Sequence, residues 1–251
     1  MSFKNTLFSL VVLLFIVSCQ PNRWQIATAV SSKIAVDSTA DIIADKEYEA
    51  FLLPYKQKID SELNTVIGRS AVDMTVSRPE SLLSNFSADM LREVLFEKFD
   101  SVTDIAIVNM GGLRTQISKG DISKRNIFEL MPFENELVVL WLTGEKLAAL
   151  LDVIASVDGE GISGVKMGIK DNRAVNIEIN GKEIEKNKLY LIATNDYLAG
   201  GNDKLVQLAD YERRWDTGLK LRDVYINYIV SKTKEGKEIN SKLDKRIYYV
   251  D

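Results

Sequence analysis

The sequence predicts an α+β fold in which mixed β-sheets are flanked by helices. Two segments in the first hundred residues carry apolar side chains at steps of three and four, the spacing of amphipathic helices. A later segment alternates around Asn180-Gly181, which is a strong signal for a two-residue hairpin. Strand and helix patterns do not alternate regularly along the chain, so we do not expect a doubly wound arrangement of βαβ units.

The first helix is predicted over residues 41–67. Pro54 would kink this helix or start a second one, because proline cannot continue the backbone hydrogen bonds of a helix interior. The apolar residues at helical spacing are Ile42, Tyr48, Phe51, Leu52, Tyr55, Ile59, Leu63 and Val66.

The second helix is predicted over residues 78–99. Ser77 and Glu80 match a capping box, with serine at the N-cap and glutamate three residues later. The side chains expected on its inner side are Leu82, Leu83, Phe86, Met90, Leu91, Val94 and Leu95.

The rest of the chain predicts short strands, a hairpin and two further helices. Strands are expected at 105–108, 137–142, 189–194 and 247–250. The hairpin covers 176–184, and the helices cover 144–153 and 218–231. We find no internal repeat, heptad pattern or low-complexity block.

The first forty residues predict a lipoprotein signal peptide followed by a tether. Lys4 precedes an apolar run from Leu7 to Val17, which is shorter than the about 20 residues that span a bilayer and fits a signal peptide. The run ends in Ile-Val-Ser-Cys19, which resembles a bacterial lipobox; the alternative is a plain secretory signal with an incidental cysteine. We therefore expect a signal peptide at 1–18, a tether at 19–40 and a folded domain at 41–251. Lipidation of Cys19 would anchor the domain to a membrane on the extracytoplasmic side, either periplasmic or at the cell surface.

The composition argues against several kinds of site. The chain has no histidine and one cysteine, which excludes Ser-His-Asp and Cys-His mechanisms and any internal disulfide. It also disfavours catalytic zinc sites and dimetal sites that use histidine. The formal net charge is −4, so no broad basic surface for nucleic acid is indicated.

Three loops beside predicted strands carry side chains suited to a ligand. In the first, at 109–114, Gly111 and Gly112 let the backbone approach a ligand, and Arg114 offers a planar fork for phosphate or carboxylate. Taken alone, the spacing of this loop favours the alternative, an ordinary glycine turn with a surface arginine.

The other two loops each contribute an aromatic ring and a polar group. Phe133 stands after a proline with Asn135 beside it, and Tyr197 precedes Asp203 by six residues. The alternatives are a core phenylalanine at a strand entry and an ordinary glycine-rich connection. Together the three loops supply two stacking faces, an arginine, an amide and a carboxylate. This set suits a nucleoside that carries a phosphate, and the loops would share one edge of a sheet system.

In this combination the chain resembles the C-terminal, substrate-recognition domain of the 5′-nucleotidase and UDP-sugar hydrolase family. The resemblance runs from about residue 41 to the C-terminus and implies the fold of that domain. The matching segments are 78–89, 109–114, 120–123, 132–135, 142–144 and 195–203. The family's C-terminal domain grips the nucleotide, while a separate N-terminal metallophosphoesterase domain holds two metals and cleaves the phosphate.

The resemblance implies a set of substrate-binding residues and no catalytic residue. Tyr197 stands where the family usually has phenylalanine, which keeps a stacking face, so Tyr197→Phe is expected to cost little. The family usually reads Gly-Gly-Asp where this chain has Gly-Gly-Asn-Asp at 200–203. The implied substrate-binding residues are Arg78, Asn109, Gly111, Gly112, Arg114, Phe133, Asn135, Tyr197 and Asp203.

Each of these residues would contact a different part of the nucleotide. Phe133 and Tyr197 would stack on the two faces of the base, and Asp203 would accept hydrogen bonds from the ribose hydroxyls. Arg114 would hold the phosphate, and Arg78 would be a second phosphate-directed arginine. The two asparagines would hydrogen-bond the ligand.

The chain lacks the family's metal-binding stretch, whose ligands are mostly histidine and aspartate. We therefore expect no cofactor in this chain and divalent metals only in a partner. The resemblance implies the recognition half of a split extracytoplasmic 5′-nucleotidase, acting in nucleotide catabolism with a separate metallophosphoesterase chain. The alternatives are a membrane-tethered nucleotide-binding lipoprotein without associated hydrolysis, and an envelope domain that kept the fold and lost the pocket.

Overall fold

A computed structural model describes residues 26, 28–35, 37 and 45–250 of the chain. The chain divides into two compact units, Met1–Leu52 and Leu53–Asp251. In the first unit, residues 26, 28–35 and 37 are exposed and form no helix or strand. The predicted signal peptide and Cys19 lie outside the described residues. No helix within the described ranges has the length and apolar character needed to cross a membrane.

The described residues combine helices with three β-sheets. The helices are α1 (Lys46–Leu63), α2 (Leu82–Phe99), α3 (Lys124–Leu130), α4 (Gly144–Ser156), α5 (Asp196–Ala199) and α6 (Leu221–Lys234). The strands are β1 (Val66–Ser70), β2 (Ile105–Val108), β3 (Gly120–Ser123), β4 (Glu136–Thr143), β5 (Gly161–Ser163), β6 (Val165–Lys170), β7 (Arg173–Ile179), β8 (Lys182–Glu183), β9 (Leu189–Asn195), β10 (Arg213–Lys220) and β11 (Ile247–Tyr249).

The sheets contain both parallel and antiparallel neighbours, so the predicted α+β class is confirmed. The five-stranded central sheet has the order β10-β4-β9-β2-β5, and only β2 and β9 within it run parallel. A four-stranded sheet has the order β11-β6-β7-β8, and β1 pairs with β3. The predicted hairpin is the β7–β8 pair, with Asn180 and Gly181 at its turn.

The central sheet separates two hydrophobic cores because successive side chains of a strand point to opposite faces. Ala106, Val108 and Val139 belong to the core that includes α2 and α6. Ile107 and Val138, each next to one of those residues, belong to the core that includes α4. The sheet is therefore buried on both faces. This packing holds the ends of its strands, and the loops attached to them, in place.

Helix α1 agrees with the first predicted helix over residues 46–63, and residues 41–44 lie outside the described ranges. The predicted end at residue 67 is wrong, because Val66 already pairs with Ser123 of β3. Pro54 lies inside the helix, which continues past it. No residue of α1 is buried, and the side chains of Leu53 and Ile59 are each about half exposed.

Helix α2 begins at Leu82, so the predicted start at residue 78 with Ser77 as N-cap is wrong. The N-cap is Ser81, whose hydroxyl accepts a hydrogen bond from the Ser84 amide at 3.2 Å. The Ser84 hydroxyl in turn accepts from the Ser81 amide, which completes the capping box with serine in place of glutamate. Arg78 precedes a proline, a position that disfavours helical backbone.

Helix α6 begins at Leu221 and not at residue 218, because Leu219 and Lys220 continue strand β10 and pair with β4. The sequence patterns did not indicate strands β1, β3, β5, β6 and β10 or the short helices α3 and α5. Most of these strands are short or carry polar residues on their exposed face, so neither a long apolar run nor a clean alternation marks them.

Candidate functional site

The three predicted ligand loops meet at one edge of the central sheet. Strands β2 and β9 are parallel neighbours, so their carboxyl ends lie at the same edge. Strand β4 runs antiparallel to β9, so the loop that enters β4 reaches that edge too. A cavity of about 600 Å³ lies between the loops. Eight of the nine predicted substrate-binding residues line it, namely Asn109, Gly111, Gly112, Arg114, Phe133, Asn135, Tyr197 and Asp203.

The two aromatic rings of the cavity are partly open to solvent. Phe133 is 43% exposed and Tyr197 is 41% exposed, which excludes the alternative that Phe133 is a core residue. The Arg114 guanidinium carbon lies 5.8 Å from the centroid of the Phe133 ring, within the range of a cation–π contact. Arg114 also donates a hydrogen bond to the Gly111 carbonyl at 3.1 Å. The cavity therefore offers aromatic surface together with an exposed cation.

The Asp203 carboxylate is held on both oxygens by neighbouring side chains. Asn109 Nδ2 donates to Asp203 Oδ2 at 2.7 Å, and the Tyr197 hydroxyl donates to Asp203 Oδ1 at 2.8 Å. Asn195 Nδ2 donates to Asn109 Oδ1 at 3.4 Å and so fixes the orientation of that amide. The hydrogen bond to Asp203 raises the pKa of the Tyr197 phenol, because it stabilises the protonated form.

The loop that carries Asp203 has an unusual backbone that points this residue into the cavity. Gly201, Asp203 and Lys204 all have positive φ angles, of 80°, 54° and 67°. Asn202 Nδ2 donates to the Tyr197 carbonyl at 2.7 Å, which closes the loop on itself. The additional asparagine in this loop is thus accommodated, and Asp203 still lines the cavity.

The Asn135 side chain is oriented by a hydrogen bond to Asp196. Its Nδ2 donates to Asp196 Oδ1 at 2.8 Å, and the same oxygen accepts from the Glu136 amide at 3.1 Å. Asn135 uses one of its two amide N–H donors on Asp196, so its second N–H and its carbonyl oxygen remain for hydrogen bonds with a ligand.

Arg78, for which the family resemblance implies a phosphate-directed role, does not line the cavity. Its Nη2 pairs with Glu160 Oε1 at 2.7 Å, and its Nη1 donates to the Val157 carbonyl. The other oxygen of Glu160, a buried residue, accepts from the Met110 amide at 2.6 Å. Arg78 therefore supports the loop behind the cavity through Glu160.

Sequence reasoning missed several residues of the site. Glu160 supports the cavity from outside its lining; it lies between two glycines and follows no motif, and its partners, Arg78 and the Met110 amide, are far from it in the sequence. Met131, Glu134 and Asn195 also line the cavity, and only their position inside the quoted loops could have indicated them. Within the described residues, no group of three or more Asp, Glu, Cys or His side chains is arranged to hold a metal ion.

Glycine at position 112 leaves room for the close approach of a side chain. A Cβ atom there would lie 2.9 Å from Asn109 Oδ1, which is shorter than a normal contact. Gly112 thereby lets Asn109 keep the position from which it donates to Asp203.

Comparison with known proteins identifies relatives of this fold. The family model described as "5′-nucleotidase, C-terminal domain" matches residues 66–210. The 5′-nucleotidase of Vibrio cholerae is 24% identical over 215 residues, which cover 83% of this chain and 37% of that protein. Protein UshA of Escherichia coli is 25% identical over 197 residues, which cover 76% of this chain and 36% of UshA. The chain thus spans little more than a third of the length of these relatives.

Solved structures give a similar result. The 5′-nucleotidase precursor from Thermus thermophilus superposes with a TM-score of 0.69 at 28% identity, covering 82% of this chain and 44% of that one. The NAD nucleotidase from Haemophilus influenzae has a TM-score of 0.60 at 20% identity, covering 82% and 41%, and shares the fold.

Proposed function

Because the chain belongs to the family of 5′-nucleotidase C-terminal domains, we propose that its cavity binds a nucleotide or nucleoside for hydrolysis by another polypeptide. In this proposal the chain is the recognition half of a split extracytoplasmic 5′-nucleotidase. A separate metallophosphoesterase chain supplies the metals and cleaves the phosphate, and the pair acts in nucleotide catabolism.

The observation that carries the proposal is the set of groups gathered in one cavity of about 600 Å³. Phe133 and Tyr197 offer exposed ring faces on which a base can stack. The Asp203 carboxylate accepts hydrogen bonds, as the two hydroxyls of a ribose require. Arg114 is the cation of the cavity lining and provides a fork for a phosphate.

The separate hydrolytic chain is proposed on two grounds. These 251 residues contain no histidine, so a dimetal site that uses histidine ligands lies outside them. Helix α1 buries none of its side chains, and Leu53 and Ile59 leave apolar surface on it. Where such side chains form a contiguous patch, they mark a site of protein association. A partner that covers α1 would remove this surface from water.

The direct test is phosphate release from AMP. We expect the purified chain to release none with Mn²⁺ or Zn²⁺ present, because a metal-activated water is the usual nucleophile of such reactions. Addition of a metallophosphoesterase encoded beside this chain should produce release, and Phe133→Ala should reduce it. The phosphoesterase alone and this chain alone are the controls, and phosphate is measured colorimetrically.

Two results would contradict parts of this proposal. Metal-dependent release by the pure chain, surviving repurification, would show that it is itself the hydrolase. Release by the phosphoesterase that is indifferent to this chain, while the chain still binds adenosine, would favour the nucleotide-binding lipoprotein without hydrolysis.

We further propose that the chain is a lipoprotein anchored through Cys19. Cys19→Ala should move the protein from the membrane fraction to the soluble fraction or leave it unprocessed, because the acyl chains would have no attachment site. Ser18→Ala is the matched control, since it keeps a small residue before the cysteine. Fractionation followed by immunoblotting measures the effect, and membrane association that survives Cys19→Ala would exclude the lipid anchor.

A further inference from the structure

The hydroxyl of Tyr197 makes a contact that the stacking role of its ring does not require. It donates to Asp203 Oδ1 at 2.8 Å, while the ring itself lines the cavity. The sequence alone predicts that this hydroxyl is dispensable, because phenylalanine would present the same face. We propose that the Tyr197 hydroxyl is a positioning group that holds Asp203 for the ribose diol and so sets the preference of the site for ribonucleosides over 2′-deoxyribonucleosides. This inference rests on the proposed function.

The first support is the way in which Asp203 is restrained. Its Oδ2 accepts from Asn109 at 2.7 Å and its Oδ1 accepts from Tyr197 at 2.8 Å, so the plane of the carboxylate is set by two donors. Asn109 is in turn oriented by Asn195. A carboxylate has about four acceptor positions, so about two remain for a ligand after these bonds are made.

The second support is the backbone beneath the carboxylate. Asp203 and Lys204 both occupy the left-handed region, which non-glycine residues adopt only where their surroundings hold them. Of the two donors that reach Asp203, Tyr197 belongs to the same loop and Asn109 comes from another. The hydroxyl therefore connects Asp203 to the short helix α5, from which the loop departs.

These contacts lead to a difference between two sugars. A ribose presents adjacent 2′- and 3′-hydroxyls, and both can donate to one carboxylate only when its two oxygens face them together. A 2′-deoxyribose presents a single hydroxyl there, which a carboxylate can accept in several orientations. Without the tyrosine hydroxyl, Asp203 keeps only Asn109 and can rotate, so the two-point contact weakens more than the one-point contact.

The phenol remains a donor over the working range of a binding experiment. Its pKa is raised by the hydrogen bond to Asp203, so the hydroxyl stays protonated at neutral pH. The Tyr197 hydroxyl can therefore donate to Asp203 throughout a titration at neutral pH.

The experiment is calorimetric titration of adenosine and 2′-deoxyadenosine into the wild-type chain and the Tyr197→Phe variant. We expect wild type to prefer adenosine, and Tyr197→Phe to reduce the ratio of the two affinities by about three- to tenfold, the range that one hydrogen bond of ordinary strength carries. Tyr249→Phe is the matched control, because Tyr249 is also exposed and its hydroxyl also faces an aspartate, Asp158, at 3.5 Å, outside the cavity.

Asp203→Asn provides the reference for complete loss, and we expect it to bring the ratio close to one. The proposal is overturned if Tyr197→Phe keeps the wild-type ratio while Asp203→Asn abolishes it. It is also overturned if Tyr197→Phe weakens the binding of both nucleosides equally, because the hydroxyl would then contribute to stacking of the base and not to recognition of the sugar. In either case the proposed function stands. Absence of wild-type binding to any nucleoside or nucleotide would instead remove the proposed function.

Discussion

Phe133→Ala should weaken adenosine binding by about 5- to 150-fold. Stacking of a base on an aromatic side chain contributes roughly 1–3 kcal/mol, and about 1.4 kcal/mol corresponds to a factor of ten in affinity. The ring is 43% exposed in the cavity, so its removal leaves no sealed core void. We therefore expect the loss in binding to exceed any loss in the free energy of unfolding. Calorimetric titration measures the first, and urea denaturation measures the second.

Phe96→Ala is the matched control for this experiment. Phe96 lies on α2, is 55% exposed and does not line the cavity, so its truncation should leave the affinity for adenosine unchanged. If wild type binds adenosine but neither Phe133→Ala nor Tyr197→Ala changes the affinity, the bases do not stack on these two rings. The ligand would then be recognised by the polar groups alone.

Gly164→Ala should destabilise the folded chain on the order of 4 kcal/mol or more, a loss that few single substitutions cause. Gly164 joins β5 to β6 and has a φ of +78°, a conformation that costs other residues roughly 1–2 kcal/mol. An added Cβ would also lie 2.0 Å from the Asp104 carbonyl oxygen and 3.1 Å from the Arg92 guanidinium. Asp104 directly precedes β2, so its carbonyl cannot move away from the added Cβ without disturbing that strand and its neighbours.

Gly181→Ala separates the two causes. Gly181 has nearly the same φ, +76°, but no atom beyond its two chain neighbours lies within 4 Å of the position of its Cβ. Its replacement should cost only the conformational part, about 1–2 kcal/mol. Urea denaturation followed by circular dichroism compares the two variants. Equal losses in the free energy of unfolding would show that the contact with Asp104 relaxes at no cost.

The sequence predicts best where one strong pattern covers a whole element. Ile105–Val108 is four consecutive apolar residues, and the structure buries all of them. The Asn180-Gly181 turn requires positive φ at both positions, and both residues have it. In such cases the local chemistry and the tertiary environment demand the same conformation, so the pattern is sufficient.

The sequence predicts poorly where the tertiary partner decides. Strand β10 is mostly polar and is held by its pairing with β4, which no local pattern records. The N-cap of α2 is Ser81, and its box uses a serine where glutamate is more common. Arg78 pairs with Glu160, a partner that no local pattern around it indicates.

The sequence indicates which residues gather at the site better than it indicates the contacts among their side chains. The loops of Asn109, Phe133 and Tyr197 could be placed at one edge, and the structure brings them together. The bonds among their side chains depend on distances between loops that the sequence does not contain. The Tyr197 hydroxyl is the clearest example, because its partner is known only once the loop geometry is known.

The parallel pairing of β2 with β9 has a thermodynamic consequence. It joins residues 105 and 106 to residues 192 and 193, so the cavity is complete only after distant parts of the chain have associated. A partly folded chain has no such cavity, and a ligand held by all three loops adds its binding free energy to the native state alone. At a free concentration one hundred times Kd this linkage contributes about 2.7 kcal/mol, a sizeable fraction of the stability of a typical domain. The abundance of the folded chain would then rise with the supply of any ligand that the three loops hold.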